Sequence, residues 1–190
     1  DGSDGEQVEG GRSRRPDGES VLTSRGAAEA NVRQDDGVGR DKLAAEGSAW
    51  GTTIAWDKSK LYYEMQGGQK PGVDLWVRDL ASGSTERVIS GSAIQPGSGL
   101  VGYALSHDGK TVALSVKNDA GLAQIWLASV DHRTSPRLSV SPTSQDSPGF
   151  LPNGDLVLRS IEGSENFLYR TAPDGTGRRR VTPDPILDLI

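Results

Sequence analysis

SHDGKTVALSV, residues 106–116, is a polar turn that closes on Gly109 and Lys110 and runs straight into an alternating segment. Val112, Leu114 and Val116 share one face, and Thr111, Ala113 and Ser115 share the other. This period of two belongs to extended chain. The pattern recurs along the sequence. LPNGDLVLRS (151–160) repeats it with one residue fewer after the Gly, WDKSKLYYEM (56–65) with Lys58 in place of the Gly, and RPDGESVLTS (15–24) repeats it once more. Polar turn residues bound each run, as hairpins require. Such alternation predicts strands half-buried in antiparallel sheets.

Working outward, a second strand follows each of the three later turns: DLWVRDL, QIWLASV and NFLYRTA. Their large rings Trp76, Trp126 and Tyr169 stand at separations of 50 and 43 residues. A further turn and a basic-apolar strand come next: ASGSTERVIS, DHRTSPRLSV and PDGTGRRRVT, with NVRQDDGVGRDKLA as the same element near the start. Asp36-Gly37 precedes Asp174-Gly175 by 138 residues, three steps of 46. Four short strands per period of 43 to 51 residues describe a wedge that buries its faces only by stacking on its neighbours. The expected fold class is all-β, a partial β-propeller with about three complete four-stranded blades plus an eroded N-terminal one. The divisions are a polar tail or remnant of a preceding blade at 1–15, an incomplete blade at 16–50, blades at 51–101 and 102–145, and a blade plus the first strand of a following one at 146–190.

Composition narrows the function. Lys and Arg number 21 against 26 Asp and Glu, a net charge of −5, which argues against a nucleic-acid binder. There is no Cys, hence no disulfide and no thiolate metal site. Gly at 25 and Pro at 10 fit many tight turns. The longest stretch without Lys, Arg, Asp or Glu, 88–107, is broken by Ser, Gly, Pro and Gln, so no membrane span is expected. The opening DGSDGEQVEGG is acidic and has neither an initiator Met nor a leader pattern, and the chain stops on the apolar PDPILDLI. The expectation is a fragment of a longer protein.

The turns Asp17-Gly18, Asp36-Gly37, Asp108-Gly109, Asn153-Gly154 and Asp174-Gly175 read as hairpin closures. Asp and Asn bond their own backbone two residues on, and Gly supplies positive φ. None lies in a calcium-loop pattern. Trp76, Trp126 and Tyr169 read as blade-packing rings that fill the wedge between sheets. GSGLVG (97–102) satisfies G-x-G-x-x-G, but a loop-like SAIQP precedes it and no helix follows, so it reads as an inter-blade loop. His107 and His132 fall in turns; two His without Cys make no zinc site. No nucleophile elbow or S-x-x-K is present. Arg178, Arg179 and Arg180 read as an edge-protecting stripe. No catalytic, metal or cofactor residue is assigned, and no cofactor is expected.

The motifs SHDGKTVALS, QIWLAS and SPRLSV followed by QDSPGFLPNG, with NFLYRTAPDGTGRRRVT, resemble the TolB-type, WD40-like (PD40) propeller repeat of bacteria. The likeness covers about residues 16–182; Lys58, His107 and Asn153 depart from its pattern. It implies a non-catalytic recognition module in the periplasm or another extracytoplasmic setting. Such a module would bind a protein or ligand through the rim loops Gln66 to Val73, Ser90 to Val101 and Lys117 to Ala123. Further blades of the parent chain are expected as partners. Similar repeats also occur in prolyl-oligopeptidase-like peptidases and bacterial Ser/Thr kinases. The alternative is therefore a regulatory propeller of a larger enzyme whose catalytic domain lies outside this chain.

Overall fold

The computed structural model describes residues 12–14, 20–25, 29–34, 40–43, 49–66, 73–90, 94, 100–131, 137–139 and 143–187. The chain forms two compact units, Asp1–Thr52 and Thr53–Ile190. In the first, β1 (Arg12–Arg14), β2 (Ser20–Arg25), β3 (Glu29–Gln34) and β4 (Arg40–Leu43) form an antiparallel sheet in that order. Leu22 pairs with Val32, and Asn31 with Lys42. β1 falls in the stretch read as a polar tail or the remnant of a preceding blade, and it pairs with β2 to give this sheet four strands. The turns carrying Asp17, Gly18, Asp36 and Gly37 lie outside the described residues.

Three further four-stranded sheets follow, each in sequence order. They are β5 (Ala49–Ile54) to β8 (Thr85–Ile89) through β6 (Lys60–Gln66) and β7 (Val73–Asp79); β9 (Leu100–Leu105) to β12 (Arg137–Ser139) through β10 (Thr111–Lys117) and β11 (Ala123–Ser129); and β13 (Ser144–Phe150) to β16 (Arg179–Arg180) through β14 (Leu156–Glu162) and β15 (Glu165–Thr171). The fold is all-β, a partial β-propeller. Leu100 to Gly102, read from the sequence as loop, belong to β9. Ile186 bridges Asn166. Ile186 belongs to the C-terminal run expected to open a following blade; residues 188–190 lie outside the described residues.

The repeat has a structural register. Tyr63 faces Trp76, Leu114 faces Trp126 and Leu158 faces Tyr169 across the second and third strands of successive sheets. The three rings therefore occupy one repeat position. Trp126 packs on a cluster that joins Tyr62, Leu75 and Val77 to Val112, Leu114 and Val116. Tyr169 packs on one that joins Ala113, Ile125 and Leu127 to Leu156 and Leu158.

The two faces foreseen for residues 111–116 thus exist, but β10 is buried on both, not half-buried. Val112, Leu114 and Val116 turn towards one neighbouring sheet and Ala113 towards the other. Small residues on the second face let the last sheet approach, and β13 packs beside β9, β10 and β11. β14 keeps the simple alternation, with Leu156, Leu158 and Ser160 buried and Val157, Arg159 and Ile161 half-buried.

Candidate functional site

Every strand pairing described is antiparallel, so connections alternate between the two ends of each sheet. First-to-second and third-to-fourth turns share one end; the remaining loops share the other. The first-to-second turns are five residues each, at 55–59, 106–110 and 151–155. The second-to-third loops have six, five and two residues, and the connections between these sheets have ten and four. The third-to-fourth turns, at the first end, have five, seven and seven residues. That end is the more uniform and the other the more variable.

The uniform end is built from self-contained turns. Asp108 Oδ1 accepts from the Ser106 hydroxyl at 2.7 Å and the Lys110 amide at 3.0 Å. The Gly109 amide donates to the Ser106 carbonyl at 2.9 Å. Asp57 accepts from the Ser59 amide at 3.0 Å and hydroxyl at 2.8 Å, and Asn153 from the Asp155 amide at 3.3 Å. Asp174 accepts from the Thr176 amide at 2.9 Å and hydroxyl at 2.6 Å. Gly109, Gly154 and Gly175 have φ of 70°, 88° and 85°. Asp79, which the sequence reading did not single out, closes its turn the same way through Ser82.

Lys58 stands where the other turns have Gly and adopts φ 58°. The left-handed backbone costs an L-residue about 1–2 kcal/mol. Lys58→Gly should therefore raise stability by about 1 kcal/mol, after the extra entropy of an unfolded glycine is subtracted. A denaturation midpoint that stays put or falls would contradict this.

These hydrogen bonds also set the acid response. The Ser59 amide holds the Asp57 carboxyl below its ordinary 3.8, the Ser82 amide does so for Asp79, and the Ser106 hydroxyl for Asp108. The unfolded chain then takes up protons on these groups before the folded chain does. Stability should be complete above about pH 4 and fall as the pH drops through the lowered folded values. Asp108→Asn keeps an acceptor oxygen and should flatten part of that acid limb in urea titrations at stepped pH. An acid limb as steep as that of the parent chain would contradict the turn origin.

Trp56 and His107 meet at this end with ring centroids 4.1 Å apart, tilted by 41°. The sequence places His107 in a turn and Trp56 at the equivalent position of the preceding repeat, without a contact between them. His107 is exposed but contacts a ring from the adjacent repeat, and Trp56 is 56% exposed. Their spacing of 51 residues, about one repeat, was the signal that could have joined them. His132 lies outside the described residues.

At the variable end, the segment Lys117 to Ala123 is a turn organised by Asn118, whose Oδ1 accepts from the Ala120 and Leu122 amides at 3.0 Å each. Leu122 is exposed at its tip. Residues 67–72, 91–93 and 95–99 of the other two rim loops lie outside the described residues.

Two charged pairs escaped the sequence reading. Asp146 and Arg159 are cross-strand partners bonded at 2.6 and 2.8 Å, with side chains 10% and 17% exposed. Asp155 bonds Arg170 at 2.6 Å. Arg159 shares its repeat position with Glu64 and Ser115, both buried, so each sheet carries a polar residue just after the position facing the large ring. Arg180 lies on the outer strand β16 and Arg178 just before it; their guanidinium groups stack on Phe167 at 3.6 Å and Tyr169 at 3.7 Å. Among the described residues no group of three His, Asp or Glu could hold a metal ion, and no helix is long and apolar enough to cross a membrane.

The chain is similar to several solved propellers. TolB from Acinetobacter baumannii matches with a TM-score of 0.65 at 18% identity, covering 82% of this chain and 38% of that one. A putative TolB from Agrobacterium tumefaciens gives 0.72 at 19%, covering 88% and 62%. The dipeptidyl peptidase 4 of Porphyromonas gingivalis gives 0.63 at 13%, covering 90% and 32%. The chain thus spans less than two thirds of either TolB structure. At these identities the likeness establishes a propeller fold. No family model matches the sequence.

Proposed function

We propose that the chain is a non-catalytic recognition module of the TolB-type PD40 repeat family, which binds a protein partner through the variable end of its sheets in an extracytoplasmic compartment. The observation that carries this reading is the asymmetry of the connections. Turns of five to seven residues, closed by their own hydrogen bonds where they are described, make one end a scaffold, whereas loops of two to ten residues make the other end the place where sequence can change without disturbing the sheets. Likeness to the TolB structures supports the family and the compartment.

The test grafts the short 163–164 turn in place of residues 67–72 and 118–122 and compares what wild type and graft capture from a bacterial envelope extract. The grafted protein should fold and lose its partner. Capture of the same set by both would defeat the rim model, and turnover of esterase, peptidase or phosphatase substrates by the chain alone would defeat the non-catalytic one.

A second reading rests on the peptidase similarity. This chain covers 16% of the tricorn protease and 32% of the dipeptidyl peptidase 4. In that reading the blades regulate access to a catalytic domain elsewhere in a longer protein. An adjoining hydrolase domain in the parent reading frame would favour it over the first.

A further inference from the structure

At the uniform end of the last sheet, Asp155, Arg170 and Arg179 line a cavity of about 200 Å³ together with Thr171, Thr176 and Gly177. Arg170 and Arg179 are direct cross-strand partners. Like charges placed opposite one another destabilise a sheet, so the pair needs a compensating anion. Asp155 supplies one. Its carboxylate accepts from Arg170 Nε at 2.6 Å, with a second guanidinium nitrogen at 2.5 Å. The Asn153 side chain and Arg170 hold the Asp155 carboxyl below its usual value, so it stays ionised at neutral pH. Arg179 is exposed and feels the same carboxylate only at longer range. The count in the cavity is two positive groups and one negative.

Volume and charge together select the ligand. The depression is open to solvent and shallow, and at about 200 Å³ it offers a seat for the end of one side chain and no enclosure for a cofactor-sized molecule. A net single positive charge matches a monoanion, whereas a doubly charged phosphate would set surplus negative charge beside Asp155. A guanidinium fork pairs with a planar carboxylate through two parallel hydrogen bonds. We propose that this cavity binds one peptide carboxylate, from an acidic side chain or a chain terminus, with Arg179 as the fork and Arg170 held in place by Asp155. The site lies at the opposite end of the sheets from the variable loops, so it stands or falls independently of the rim model.

The experiment follows the amide ¹⁵N–¹H resonances of Thr176 and Gly177 in the whole chain. Three peptides are titrated: acetyl-Ala-Glu-Ala-amide, its Gln counterpart, and acetyl-Ala-Ala-Ala with a free carboxyl group. At least one carboxylate peptide should give saturating shifts at millimolar concentration, and the Gln peptide none. Which of the two carboxylate peptides responds identifies the source. Arg179→Gln should raise the midpoint at least about fivefold, and Arg179→Lys, which keeps the charge but loses the fork, at least about twofold. Inorganic phosphate should bind more weakly than the carboxylate peptide. A linear drift, an equal response to sodium chloride at matched ionic strength, an equal response to the Gln peptide, tighter binding of phosphate, or an unchanged midpoint in Arg179→Gln would each overturn the proposal. The contrast between the responding carboxylate peptide and the Gln peptide is read on the wild-type chain and holds even if a variant fails to fold.

Discussion

Leu114→Ala should destabilise the chain by about 3 kcal/mol, seen as a lower denaturation midpoint with an unchanged slope. Leu114 is fully buried at the centre of β10, in the cluster that also holds Tyr62, Leu75 and Val77 of the preceding sheet. Removing its isobutyl group forfeits transfer free energy and leaves a cavity. Sheets on both sides of β10 limit how far the walls can close. The opposite face gives an independent check, because Ala113 lies against Leu156 and Leu158. Ala113→Leu should wedge that interface open and cost about 1–3 kcal/mol by overpacking. Leu187 is 93% exposed, and Leu187→Ala should stay within about 0.5 kcal/mol of the parent. If Leu114→Ala cost no more than Leu187→Ala, stacked sheets would not be the source of stability.

The order of the strands and the equivalence of Trp76, Trp126 and Tyr169 were legible because both depend on spacing, which a repeat preserves even where identities drift. The turn at 55–59 was legible despite its missing glycine. Asp57 provides the hydrogen bonds that shape it, and Lys58 accepts the backbone strain. Burial of β10 on both faces was not foreseen, since alternation shows that two faces differ and not whether the second is covered. Ala113 and Ser115, small and uncharged, were the available hint. The Asp146–Arg159 pair was hidden differently. QDSPGF was read as a landmark of the repeat, and the partner lies 13 residues away at a register position occupied by Glu64 and Ser115 in the other sheets. Similarly, the facing arginines of the last sheet emerge only once Arg170 is paired with Arg179. In the sequence alone, Arg179 belongs to a basic run whose two neighbours stack on aromatic rings instead.

Asp146→Ala should cost about 3 kcal/mol, although it removes few apolar contacts. Both oxygens of Asp146 are engaged by Arg159, and both side chains are largely withdrawn from water. Truncating the carboxylate takes the bidentate partner from a guanidinium that has given up much of its hydration, and this dominates over the intrinsic strength of the pair. The double variant Asp146→Ala/Arg159→Met separates the two contributions. With both charges gone, no desolvated ion remains, and the methionine stem replaces much of the arginine's apolar length. Its stability should return to within about 1 kcal/mol of the parent, and the coupling in the double-mutant cycle should be at least about 2 kcal/mol, larger by whatever Arg159→Met costs alone. Costs that simply add would mean that the two groups are solvated separately and that their bidentate contact contributes nothing. A large coupling would instead make the pair a lock on β13. Ser147 turns to φ 49° immediately after Asp146, and the register with β14 slips before Gly149, so the strand relies on a side-chain tie where its backbone ladder is interrupted.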